Sequence, residues 1–178
     1  MSDQPFSLDQ LYEAIEQHLQ EHLPGIQGAT FWPDLSADTT MPTPVVLLEL
    51  AEMEPGQDIG TGETSLVCKF EARIIVDSIS TDPQRQAVQL ASQLAVLLRG
   101  QCWGLDVDCA EFVRSTQDWT KPELDGYFVW LVEWEQTICL GTEEWPWPDE
   151  PPGSLRIGFN EDTGAGNEGK YIAPEDLQ

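Results

Sequence analysis

The stretch His18-Leu19-Gln20-Glu21-His22 has the residue types and the spacing for zinc chemistry. Two imidazoles four residues apart project from one helix face and can share a metal ion, with the intervening glutamate as general base. A working site of that kind also needs a third ligand and a roomy cleft. The chain has only two histidines, and acidic side chains are so plentiful that their presence decides nothing. On a helical wheel His22 falls close to the apolar stripe, His18 on its margin, and Glu21 toward water. The expectation is a helix that meets its neighbour through two histidines, with no bound metal, no cofactor and no enzymatic activity.

Other chemistries find less support. A nucleophile would need a G-x-S-x-G elbow, and none is present. Gly60–Glu63 (GTGE) lacks the lysine and helix start of a phosphate loop. Asp162, Asn167 and Glu168 do not follow the ligand spacing of a calcium loop. Cys68, Cys102, Cys109 and Cys139 form no C-x-x-C pair, so reduced and mostly buried thiols are expected rather than a zinc cluster or disulfide framework.

The elements that must position these residues follow from periodicity. Ser7 and Gln10 form a capping box, and Leu8, Leu11, Ile15, Leu19 and Leu23 recur at helical spacing before Pro24-Gly25. A short extended piece over Ala29–Trp32 and a β-rich run over Val45–Leu50 come next, and turn formers follow from Ala51 to Glu63. Between Leu66 and Asp77 the chain alternates. Leu66, Cys68, Phe70, Ala72, Ile74 and Val76 share one face, and Val67, Lys69, Glu71, Arg73, Ile75 and Asp77 share an open, charged one. Asp82-Pro83 starts a second helix with Leu90, Leu94, Leu97 and Leu98 inward and Gly100 as its stop. Cys102–Ser115 reads as a strand bent near Asp108. Tyr127–Leu140 reads as another, with Trp130 and Trp134 on its core face. The order α-β-β-β-α-β-β predicts an α+β fold, a mostly antiparallel sheet with two helices packed on one face. Residues 1–140 form that domain, and residues 141–178 an extended, acidic, Pro/Gly-rich C-terminal arm, in which Leu155–Phe159 could add a strand. The arm holds Trp145, Trp147, Phe159 and Tyr171 in a segment too polar to build its own core, so these aromatics are the candidate interaction residues.

The charge balance narrows the partners. With 32 acidic and 8 basic residues the formal net charge is −24, which repels phosphate backbones and anionic lipid. No run approaches the ~20 apolar residues of a membrane span. The opening MSDQPFSLDQ lacks the basic start and apolar stretch of an export signal, so a cytosolic protein is expected.

The phrases PTPVVLLELAEMEPGQDIGTGE, CKFEARIIVD, GYFVWLVEWEQTICLG and LRIGFNEDTGAGNEGKYI resemble a group of tailed-phage and prophage proteins. The order of helices and strands is similar to that of the tail terminator family of long-tailed phages. That resemblance implies a non-enzymatic virion protein that assembles as a hexameric ring, caps the tail tube and joins it to the head and neck. Its partners would be further copies of itself, the tail tube protein and the neck or head-completion proteins, with DNA passing through unread. Head–tail joining and tail-completion roles in the neck are the alternatives nearest to it. An acidic DNA-mimic inhibitor is the alternative from another class; it accounts for the charge but not for the Trp-rich strand and arm.

Overall fold

A computed structural model describes residues 6–33, 41–144, 156–158 and 163–174. The chain divides into two compact units, residues 1–145 and 146–178. The first contains α1 (Leu8–His22), β1 (Ala29–Phe31), β2 (Val45–Pro55), β3 (Thr64–Asp77), α2 (Pro83–Leu97), β4 (Glu111–Gln117) and β5 (Tyr127–Leu140). The strands form one five-stranded sheet in the order β1-β2-β3-β5-β4. β1 runs parallel to β2, and every other pair is antiparallel. The expected α+β class, element order and mostly antiparallel sheet are what the chain adopts.

Both helices start where their caps dictate. The Ser7 hydroxyl accepts from the Gln10 amide, and the Gln10 side chain accepts from the Ser7 amide at 3.1 Å. Asp82 caps α2 by accepting from the Arg85 amide, and Pro83 occupies the first turn. Leu11, Ile15 and Leu19 of α1, Ala87, Leu90, Ala91 and Leu94 of α2, and Leu98 at the α2 C-cap are buried. They join one cluster with Val46, Leu48, Cys68, Phe70, Ala72, Ile74, Val76, Val132, Trp134 and Ile138. These strand residues share one side of the sheet, so both helices cover that side. At its centre Phe70 and Trp134 are register partners, with ring centroids 5.2 Å apart and nearly parallel planes.

Four expectations need correction. β2 does not stop at Leu50 but continues to Pro55, because a register shift between Leu50 and Glu52 absorbs Ala51 and lets pairing resume. β4 begins at Glu111 rather than Cys102. Residues 101–110 form a loop in which Trp103 and Gly104 both take positive φ, 57° and 74°, incompatible with a strand. Trp130 lies on the core face with Trp134 as expected, but Trp134 is fully buried whereas Trp130 is only half-buried and donates its indole N–H to the Ser115 hydroxyl at 2.6 Å. The second face of β3 is not open along its length. Val45, Leu47, Ile75 and Val129 form a smaller cluster there with Leu124, which arrives on the 3-10 turn Pro122–Leu124 of the β4–β5 connection.

In the second unit, Ile157 and Ile172 pair through reciprocal backbone hydrogen bonds of 2.8 and 3.0 Å. Tyr171 accepts from the Gly164 amide at 2.9 Å. Its ring lies against Gly158, where a Cβ would come within 2.6 Å of it.

Candidate functional site

The histidine pair is committed to packing. The rings of His18 and His22 stack with centroids 4.2 Å apart, and His18 also meets the Trp103 ring edge-on at 5.4 Å. The Gln101 side-chain amide donates to His18 Nε2 at 2.9 Å, which occupies the lone pair a metal would need. His22 Nδ1 donates to the His18 carbonyl at 3.0 Å. Glu21 is exposed and accepts from Gln17 at 2.8 Å, so it faces away from the imidazoles. The expected order of burial is reversed: His18 is half-buried and His22 exposed. The loop carrying Gln101 and Trp103 approaches the helix from the His18 side, which the helical wheel alone does not encode. Partial burial and the neighbouring His22 push the His18 pKa below its ordinary value, with Glu21 opposing them. Among the described residues no three His, Cys, Asp or Glu side chains are grouped to hold a metal ion.

The cysteines also depart from expectation. Cys68 is buried, and its thiol is pushed up to about 11 by that burial. Cys102 and Cys139 are half-buried, and Cys109 is exposed.

The second face of the sheet carries an ion network. Arg73, 6% exposed, donates to Asp118 at 2.7 Å, Glu49 at 2.8 Å and Glu71 at 2.5 Å. Lys121 reaches Glu49 at 3.0 Å. Arg114 pairs with buried Glu133, and Lys69 lies 3.9 Å from the same carboxylate. Burial pushes the Arg73 guanidinium down, but its hydrogen bonds to Asp118 and Glu71 outweigh that and hold it above its ordinary value. Burial likewise pushes Asp118 up. The Thr120 hydroxyl and amide together with Arg73 more than reverse it, keeping the carboxyl below the usual range. Four of the eight Lys and Arg side chains in the chain, Lys69, Arg73, Arg114 and Lys121, are therefore held by carboxylates on this face. Among the described residues this face has no unpaired cation to offer a phosphate.

The two sheet edges are treated differently. The β1 edge is covered by α1: Glu16 accepts from the Phe31 amide at 2.6 Å, and Gln20 donates to the Ala29 carbonyl at 2.9 Å. At the β4 edge, among the described residues, no hydrogen bond satisfies the outward backbone groups. Here Phe112 and Val113 are 47% and 43% exposed, and Trp119 just beyond is 80% exposed. A register shift between Phe112 and Arg114 brings both apolar side chains to the surface. An open edge lined with apolar side chains is a template for another chain, and proteins that keep one uncovered generally use it.

Of the four aromatics singled out in the sequence, Tyr171 is half-buried within its own unit, while Trp145, Trp147 and Phe159 lie outside the described residues. Sequence reasoning missed Phe112, Val113 and Trp119. Their segment, EFVRSTQDW, does not alternate cleanly, and which strand lies at an edge depends on long-range order.

A scan against protein-family models finds no match, and a search of curated proteins finds no similar sequence.

Proposed function

We propose that this chain is a structural subunit of the neck of a tailed phage, a tail terminator that closes the tail tube as a ring of identical copies and joins it to the head. The observation that carries this reading is the contrast between the sheet edges. One edge is capped by side chains of α1, whereas β4 presents backbone groups that no described residue hydrogen-bonds, flanked by Phe112, Val113 and Trp119. A ring requires each copy to meet its neighbour through two different surfaces, one of which can be an open strand edge. The sequence resemblance supplies the particular assembly, and the charge agrees with it. Six copies would carry roughly −144, six times the −24 of one chain, and walls of that sign keep DNA mobile rather than bound. Among the described residues no helix is long and apolar enough to cross a membrane.

Phe112→Glu combined with Val113→Glu tests the edge. Both side chains are close to half exposed, so the purified variant should stay folded, with a stability loss of about 1 kcal/mol or less. In complementation of a phage lacking the gene, the yield of finished particles should fall at least roughly tenfold, as expected when an interface anchor worth about 2 kcal/mol is lost. A folded variant that completes tails at the normal rate would remove β4 from the assembly surface.

A further inference from the structure

The loop between α2 and β4 brings together two thiols that the neck reading does not use. Cys102 Sγ and Cys109 Sγ lie 2.6 Å apart, roughly half an ångström beyond a ~2.05 Å disulfide bond. Backbone geometry, rather than chance rotamers, puts them there. The Ala110 amide donates to the Gln101 carbonyl at 2.9 Å, which zips the loop immediately outside the two cysteines, and the Leu105 amide donates to the Cys102 carbonyl at 2.9 Å inside it. The loop is anchored to the core on both sides. The Trp103 indole donates to Gln136 at 2.8 Å, and the Gln136 amide donates to the Asp108 carbonyl at 2.7 Å. Cys109 is exposed and borders a groove of about 390 Å³ whose other lining residues include Asp108, Glu111 and Glu135. A reagent can therefore reach Cys109 while the less exposed Cys102 thiol lies beside it.

We infer that Cys102 and Cys109 are a redox-active dithiol that closes to an intramolecular disulfide by exchange with a low-molecular-weight disulfide. The thiolate of Cys109 attacks one sulfur of the small disulfide, whose S–S bond breaks and releases one small thiolate. The Cys102 thiolate then attacks Cys109 Sγ, the mixed disulfide breaks, and the second small thiol leaves. Two protein thiols are oxidised, one small disulfide is reduced to two thiols, and the two protons finish on those products. Closure clips the short loop that holds Trp103 against Gln136 and so firms the entry into β4.

Cystamine suits the test, because its two ammonium groups match the acidic groove. After the full-length protein reacts with cystamine at mildly alkaline pH, intact mass should fall by two hydrogens without a cysteamine adduct at either residue. Peptide mapping should link Cys102 to Cys109. The oxidised protein should melt roughly 4–8 °C higher than the reduced form, from the chain-entropy effect of a short closed loop in a domain this size, and dithiothreitol should reverse the shift. Cys102→Ser should instead retain cysteamine on Cys109, because the resolving thiol is gone. Stable adducts on Cys102 or Cys109 in the parent chain would overturn the assignment, and so would a link to Cys139 or Cys68, or a bridge between chains.

Discussion

Trp134→Ala is expected to lower the unfolding free energy by about 3–5 kcal/mol, against the roughly 5–15 kcal/mol that holds a typical domain together. The indole is fully buried, stacks on Phe70 and lies 6.4 Å from the Trp103 ring, between the sheet and the helices that cover it. Removing it leaves a cavity bordered by rigid aromatics that cannot collapse to fill it. The indole N–H makes no hydrogen bond, although it is buried. Trp134→Phe should therefore cost much less than Trp134→Ala: it keeps most of the ring contact and removes an unsatisfied donor. Urea titrations of the two variants check this, and equal losses would show that shape at this position matters less than the stacking geometry implies.

Arg73→Ala should be comparably damaging, at about 3–5 kcal/mol, because it strands carboxylates that were paired. Asp118 is almost fully buried and loses its guanidinium partner, while Glu49, a third exposed, loses least. The pH dependence identifies the cause. In the parent protein the Asp118 carboxyl is held below its ordinary pKa, so its contribution is present above about pH 3.9 and is lost as pH falls through the lower folded value. In Arg73→Ala the carboxyl keeps its Thr120 hydrogen bonds against burial but loses the part of the depression that Arg73 supplies. The stability gap between parent and variant should therefore narrow as pH falls through the acid range in which Asp118 takes up its proton. A gap that is constant with pH would mean that Arg73 acts through packing of its aliphatic stem instead.

Much of this architecture is legible in the sequence, for identifiable reasons. The capping box at Ser7 and Gln10 and the Asp82-Pro83 start are local signals, satisfied by local hydrogen bonds. β3 and β5 alternate cleanly because one side of each packs against the helices. The alternation of β3 reads its second face as open, and only the continuous runs VVLL of β2 and RIIV of β3 carry a trace of the second cluster. What covers that side, Leu124 on a short turn, depends on the path of the β4–β5 connection and leaves no periodic trace. Gln136 was readable as an inward polar position between Trp134 and Ile138. Its partners, Trp103 and the Asp108 carbonyl, come from a loop whose positive φ values are set by tertiary contacts. The open edge was illegible for the same reason, since strand order is a property of the whole sheet.

The most direct test of the neck assignment is the position of this protein in purified virions, determined by electron microscopy of particles carrying it. The expected result is a ring of copies where the tail tube meets the neck, with β4 of each copy against its neighbour. Absence of the protein from the particles, or density for it only at the distal tail tip, would contradict the assignment.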